Sequence, residues 1–356
     1  MTSAAATTSP FSTIPVIDLA RWRAGSRREQ LADQLREICH RVGFFSVVGH
    51  GVPTEFITGY FDALQRFFAL PEAVKARIDK TGSRHFRGWE RVGAELTDNR
   101  TDFREQLDLA TANPPYPTDT LPAYLRLDGP NQWLPEGALP GFRAQVEEFL
   151  DRMAGLAGEL MAILSTGLGL VQDHLHAAFG ERPMSLAKLI HYPPTPPGQA
   201  GVNSHHDAGF LTILWQHGVG GLQALNPDGT WIDVPPREDA FVVNLGEMLQ
   251  AMTGNYLVAT THRVITTEER YSSAYFHGPD LRARLDPLPL DQRFADAVAA
   301  SPRHAAAGFM ARREELLAGD SGTVGQSAAV YGQQLWNYYL RSYPENVRRH
   351  YPDLVD

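Results

Sequence analysis

Two ligating side chains, one residue apart at the head of an apolar strand, constrain this chain more than any other feature. The stretch Asn203–Leu214, NSHHDAGFLTIL, carries His205, one spacer and Asp207, and then the run Phe210-Leu211-Thr212-Ile213-Leu214. That run is rich in apolar and β-branched residues and predicts a strand. In extended backbone, side chains at i and i+2 share a face. An imidazole nitrogen and a carboxylate oxygen can therefore be brought to one point, while the intervening His206 faces the other way, as a barrel-wall or supporting residue. Two ligands from one strand leave a metal under-coordinated, so a third must come from elsewhere. His262 is the candidate, fifty-five positions after Asp207 in the apolar-flanked segment Leu257–Val264. That separation has room for several strands and turns.

Two histidines and a carboxylate on one face of an octahedron leave three positions open, which suits non-haem Fe(II) that must bind a co-substrate and O2 together. Eight positions beyond His262 come Arg270 and Ser272, again at i and i+2. A guanidinium fork beside a hydroxyl suits the far carboxylate of a dicarboxylate, because guanidinium binds carboxylate bidentately. Taken in order, HxD, a distal His followed by Arg-Val, and RxS resemble the Fe(II)- and 2-oxoglutarate-dependent dioxygenases of the isopenicillin-N-synthase-like group. The resemblance spans nearly the whole chain. It is carried also by IPVIDL (Ile14–Leu19), GFFSVVGHGVP (Gly43–Pro53), GPNQWLP (Gly129–Pro135), LIHYPP (Leu189–Pro194), GLQ (Gly221–Gln223), NLGEML (Asn244–Leu249) and THRV (Thr261–Val264).

The resemblance implies a catalytic Fe(II) held by His205, Asp207 and His262. It implies 2-oxoglutarate chelating the metal, with its distal carboxylate on Arg270 and Ser272 and Tyr192 beside it, and O2 as the other co-substrate. The reaction so implied releases succinate and CO2 and oxidises a small molecule such as an amino acid or specialised metabolite, most simply by hydroxylation. Desaturation or ring closure would use the same ligands. Three alternatives stay open at this point: an isopenicillin-N-synthase-type oxidase that needs no 2-oxoglutarate, ethylene-forming chemistry, and a non-catalytic binder on the same fold. RGWERVGAELTDNRTDFREQL and the ending RSYP (Arg341–Pro344) resemble bacterial ethylene-forming enzyme. By that analogy Glu95, Thr97, Arg341 and Tyr343 are candidate substrate contacts, with Glu95 accepting a cationic group. The plainer alternative is that they are shared scaffold. Lys188 and His191 flank the pocket strand and can face substrate, solvent or the sheet.

Composition bounds the rest. The 356 residues are 43% hydrophobic and 21% charged with net charge −9, which is ordinary globular composition with ample material for a core. The acidic balance gives no basic face for nucleic acid. The single cysteine, Cys39, rules out an internal disulfide and fits a reducing, cytoplasmic setting; it falls in a helical pattern as a small buried residue. No run approaches the ~18 apolar residues of a membrane span. A small-molecule substrate and a monomer are expected.

Along the chain the patterns predict an α+β fold. Its core is a double-stranded β-helix, or jelly roll, flanked by helices and an N-terminal α/β layer in one compact catalytic unit. Residues 1–12 read as a tail, 13–125 as the N-terminal region, 126–180 as supporting helices, 181–285 as the jelly-roll core, and 286–356 as a C-terminal helical lid or extension. Ser26 and Glu29 have capping-box spacing ahead of a helix that Gly43 can stop. Phe44–Val48 reads as a buried strand, and Thr54 as the cap of a second helix. Arg84–Leu109 is too polar for core and too aromatic for a linker. Pro140–Leu168 is a long amphipathic helix, and Asn226–Gly229 a turn. Asp286–Gln326 is variable in composition, and with the Glu95 segment it is a candidate lid. Val330–Tyr343 is a terminal aromatic helix.

Overall fold

The computed structural model describes residues 11–97, 100–117, 122–305 and 330–354. The expected tail at residues 1–10 and the 306–326 part of the expected lid lie outside the described residues. The strands in chain order are β1 (Val16–Asp18), β2 (Phe44–Val48), β3 (Gly88–Glu90), β4 (Leu96–Thr97), β5 (Arg100–Thr101), β6 (Glu105–Ala110) and β7 (Leu186–Tyr192). They continue with β8 (Val202–His205), β9 (Leu211–His217), β10 (Leu222–Leu225), β11 (Trp231–Asp233), β12 (Phe241–Leu245), β13 (His262–Val264) and β14 (Arg270–His277). Eight of them form one sheet in the order β1-β2-β12-β9-β14-β7-β6-β3, and four form a second in the order β11-β10-β13-β8. β1 and β2 are parallel, and the other neighbours in these two sheets are antiparallel. The predicted jelly roll is thus present as two facing sheets, with no closed barrel among the described residues.

The period-2 rule divides each strand of the larger sheet between two cores. On β14, Arg270, Ser272, Ala274 and Phe276 face the space between the sheets, whereas Tyr275 joins the core on the outer side. On β7, Ile190 and Tyr192 pack inward with Val202, Leu222 and Val264 of the smaller sheet, and Ala187 and Leu189 pack outward. β2 divides the same way, Phe44 inward and Phe45 and Val47 outward. The outer core is covered by the helix Phe142–Gly167, which buries Val146, Phe149, Met153, Leu156 and Leu160 along one stripe. Each such side chain contributes about 1.5–3 kcal/mol gross on burial, which offsets much of the entropy lost in ordering the helix.

The N-terminal α/β layer joins the core directly, because β2 pairs with β12 from Phe241↔Val47 to Asn244↔Phe44. The helix Arg28–Arg41 ends as expected at Gly43, which has φ +70° and donates its N–H to Ile38 O at 3.1 Å. A Cβ there would lie 2.2 Å from Val258 O, so only glycine fits the close approach. The two expected N-caps are corrected. Arg27, at φ 59°, caps the first helix in place of Ser26, and Pro53 precedes the helix Thr54–Phe68; neither helix has a side-chain cap hydrogen bond. In both cases the helix begins one residue away from the frame that the cap side chain needs. The polar, aromatic segment Arg84–Leu109 supplies β3 and β6 to the sheet edge, and every residue of β6, EQLDLA, is buried. At the C-terminus the expected helix spans Tyr331–Ser342, and its Trp336 and Tyr339 pack on Phe86. Cys39 is fully buried. Among the described residues, no helix is long and apolar enough to cross a membrane.

Candidate active site

The mouth between the sheets is built on a cross-strand pair. His205 ends β8 and His262 begins β13, and the two are register partners, with ring centroids 4.3 Å apart. Asp207 follows β8 by two residues. His205 Nε2 lies 3.6 Å and His262 Nε2 3.7 Å from Asp207 Oδ1, and one ligand atom from each residue falls within 4.8 Å of the others. Both tautomers are set from behind. His205 Nδ1 faces Asn203 O at 2.8 Å and His262 Nδ1 faces Thr260 O at 3.1 Å. A carbonyl can only accept, so each Nδ1 carries the proton and each Nε2 lone pair points to the centre. Asp207 is divided similarly: Oδ2 accepts from Thr212 Oγ1 and from Asn244 Nδ2, the latter at 2.6 Å, which leaves Oδ1 for the centre. Two neutral imidazoles and one carboxylate oxygen meeting at a point is the donor set of a non-haem Fe(II) site. Burial raises the Asp207 carboxyl, but the charge of the facing imidazoles, when these are protonated, and the Thr212 hydroxyl outweigh it and hold it below the usual carboxylate range. Burial and the neighbouring His205 push His262 down to about 4.

Deeper in the same pocket lies Arg270, fully buried, with Ser272 beside it. Its Nη1 donates to Ser272 Oγ and its Nη2 to Gln216 Oε1, both at 2.9 Å, and its guanidinium lies 4.8 Å from the centre of the Tyr192 ring. These partners are neutral, and Nε has no hydrogen bond. A buried cation without an anion is costly, and burial accordingly holds this guanidinium below its ordinary value. The pairing Arg270↔Tyr192 across β7–β14 and Ser272↔Gln216 across β14–β9 fixes the cradle to three adjacent strands.

Two family models match this chain, and the triad and the Arg270–Ser272 pair fall within the second. The non-haem dioxygenase N-terminal family matches residues 14–136, and the 2OG-Fe(II) oxygenase superfamily matches residues 183–279. A 2-oxoglutarate-dependent dioxygenase, frbJ, of Dothideomycetidae sp. (strain 11243) is 32% identical over 293 residues, covering 79% of this chain and 78% of its own. The chain belongs to the 2-oxoglutarate- and Fe(II)-dependent oxygenase superfamily. A second dioxygenase of this kind, from Gibberella zeae, is 30% identical over 359 residues, covering 98% of this chain and 93% of its own. The crystal structure of full-length Neurospora crassa T7H in complex with alpha-KG superposes with a TM-score of 0.68 at 26% identity, covering 81% of this chain and 92% of that one. As a non-haem dioxygenase, this oxidoreductase uses Fe(II) and 2-oxoglutarate.

The remaining wall of the oxygenase pocket is polar where β7, β6 and the Glu95 loop meet. Arg104 and Lys188 line it, with Ile190, Val202, Leu214 and Leu222 as apolar neighbours. Glu95 stands behind both cations. Its oxygens accept from Arg104 at 2.6 Å, from Gln106 at 2.7 Å, from Lys188 at 2.9 and 3.0 Å, and from the hydroxyls of Tyr338 and Tyr343 at 2.8 and 2.9 Å. Burial raises Glu95, but Lys188 and Arg104 outweigh it and hold the carboxyl well below its ordinary value. Burial lowers Arg104 and Lys188, but the facing carboxylates prevail and hold both well above theirs.

Of the expected substrate contacts, then, Glu95 and Tyr343 sit behind the pocket wall, bonded to its cations. Thr97 donates to Asp102 at 2.7 Å, and Arg341 is exposed on the last turn of its helix; neither is among the lining residues. His191 faces outward to Glu105 and Glu269. His206 also turns away, to Thr261 Oγ1. Sequence reasoning passed over Arg104, Thr212, Gln216 and Asn244. Each is a single polar residue on or beside a strand, with no spacing that marks it.

Proposed function

We propose that His205, Asp207 and His262 hold the Fe(II) of this oxygenase through Nε2, Oδ1 and Nε2. Arg270 and Ser272 receive the distal carboxylate of 2-oxoglutarate, with the Tyr192 ring as the wall beside it. The reaction is oxidation of a small molecule, hydroxylation in its simplest form. The observation that carries this reading is the fully buried Arg270, whose hydrogen bonds go only to neutral oxygens. It opens on the same pocket as the three converging ligand atoms. When bound, the iron and its co-substrate supply the oxidising chemistry. The chain's part is to position and to exclude water. Asn203 O and Thr260 O orient the imidazoles, Thr212 and Asn244 fix the carboxylate, and the apolar walls of Ile190, Val202, Leu214 and Leu222 keep the reacting C–H bond dry.

The test is anaerobic. Fe(II) and then 2-oxoglutarate are added to the full chain, and the weak visible charge-transfer band of the chelate is followed. The band is expected in the native protein. Arg270→Ala is expected to need at least about tenfold more 2-oxoglutarate to form it, the loss of one charge-assisted contact, with iron still bound. An unchanged requirement would reassign Arg270, and absence of bound iron in the native protein would sink the ligand assignment.

A further inference from the structure

His205 is the metal ligand that its own sheet holds least. Among the described residues β8 is an edge strand of the smaller sheet, whereas β13, which carries His262, is paired on both sides, with β10 and with β8. The pairing of β8 with β13 is also irregular. Its register runs from Val202↔Val264 to His205↔His262, so Asn203 and Ser204 together stand opposite Arg263 alone. A bulge of this kind leaves a residue outside the ladder and re-aims the side chains beside it. The carbonyl that accepts from His205 Nδ1 belongs to Asn203, inside the bulge.

Asp102 takes the place of the missing ladder. It is fully buried. Its Oδ1 accepts from the Asn203 N–H at 3.1 Å and from Asn203 Nδ2 at 2.9 Å. Its Oδ2 accepts from Thr97 Oγ1 at 2.7 Å and from Arg104 Nη2 at 3.1 Å. A carboxylate has about four acceptor positions, and these four bonds use them. Holding Asn203 by its backbone and its side chain at once fixes the direction of its carbonyl. Asp102 is itself anchored. Its N–H donates to Glu95 O at 3.2 Å, and the next residue, Phe103, donates its N–H to Ala200 O at 3.0 Å. Arg104 is tied in turn to the Glu95 carboxylate at 2.6 Å.

We propose that Asp102 is a positioning residue for the metal ligand His205, acting through Asn203, so that a segment outside both ligand-bearing strands carries part of the iron affinity. This rests on the ligand reading given above. Asp102 is not among the residues that line the pocket. With Asn203 fixed, its carbonyl turns the His205 ring so that Nε2 meets Asp207 Oδ1 and the His262 ring. Thr97 and Arg104 hold the far oxygen of Asp102 and keep it in place.

The experiment reads the metal. Fe(II) affinity of the full chain is measured by anaerobic equilibrium dialysis. The Co(II)-loaded chain is followed by proton NMR, in which each metal-bound imidazole gives its Nδ1–H as a strongly shifted, solvent-exchangeable signal. Asp102→Ala is expected to weaken Fe(II) binding about tenfold, and to move one of the two imidazole signals while the other stays. Asp102→Asn keeps a carbonyl oxygen that can accept from Asn203, and is expected to recover part of the affinity. Asn203→Ala removes one of the two links and leaves the buried carboxylate paired with Arg104, so a smaller loss is expected. In the double variant the losses are expected to fall short of additive, because both residues act on one path. Native Fe(II) affinity in Asp102→Ala overturns the proposal, as do two signals that shift together, or losses that add as for independent sites. If Asp102→Ala does not fold, Asn203→Ala decides alone, and native affinity in it overturns the proposal. A native chain that binds no Fe(II) overturns the ligand reading and this inference with it. Binding that is abolished by His205→Ala but untouched by Asp102→Ala removes only the role of Asp102.

Discussion

At the scale of single residues, the two oxygens of Asp207 have separate partners. Oδ1 faces the imidazoles, while Oδ2 is held by Thr212 and Asn244. A carboxylate with one oxygen so restrained presents the other in a fixed direction. Partners of this kind are worth about 10–100-fold in metal affinity. Asn244→Ala is therefore expected to weaken Fe(II) binding by about that factor, measured by anaerobic equilibrium dialysis, with the 2-oxoglutarate requirement at saturating iron little changed. Unaltered iron affinity would mean that Asn244 is not needed to orient Asp207. The HxD pair is legible in sequence because i and i+2 share a strand face. Asn244 is not, because its partner lies 37 positions away across a sheet pairing.

At the scale of elements, the site is held by the close approach of the turn after β12 to the loop after β8. Gly246 donates to Phe210 O at 2.9 Å, and Glu247 N donates to Asp207 O at 2.8 Å. A Cβ on Gly246 would lie 2.0 Å from Gly209 O, in backbone, where a flexible side chain cannot give way. Gly246→Ala is expected to push the two segments apart, with a loss of about 1–3 kcal/mol typical of overpacking and weaker iron binding through the displaced Asp207. Urea unfolding and the same dialysis measure the two effects. A variant of native stability and iron affinity would show that the segments can separate without moving the ligand. The glycine occurs within a block that resembles the family, yet the need for it arises only when β9 and β12 pair, from Val242↔Leu214 to Leu245↔Leu211.

At the scale of the molecule, buried histidines tie stability to pH. His277, near the end of β14, is stacked on Phe179 at 4.1 Å, and neither ring nitrogen has a hydrogen bond. Burial pushes it down to about 3, well below the ordinary His value. Between about pH 3 and 6.5 the unfolded chain therefore binds a proton that the folded chain refuses, so stability falls as pH falls through that window and is unaffected above it. The loss is about 3 kcal/mol near pH 4 and is still growing as pH falls toward 3. His277→Phe, which keeps the stacked ring, is expected to flatten the acid limb of unfolding free energy against pH and to leave stability near neutral pH little altered. An unchanged acid limb in denaturant melts across that range would place the proton uptake elsewhere.

The sequence alone picked out the HxD pair with its distal histidine, the RxS pair and the α+β jelly roll. Each rests on a local rule: i and i+2 share a strand face, apolar periodicity separates helix from strand, and ordered motifs carry the family resemblance. Only the tertiary structure decided what surrounds those ligands. Arg104, Asn244, Gln216 and Thr212 acquire roles from strands that are remote in sequence, and β6 becomes wholly buried because its Gln106 and Asp108 face a paired polar interior. Glu95, read from its segment as a substrate contact, meets two protein cations and two tyrosines from the C-terminal segment. Arg104 is nine positions from Glu95, but the contacts with Lys188 and the tyrosines span 93 and about 245 positions, and no local pattern encodes a partner at that distance.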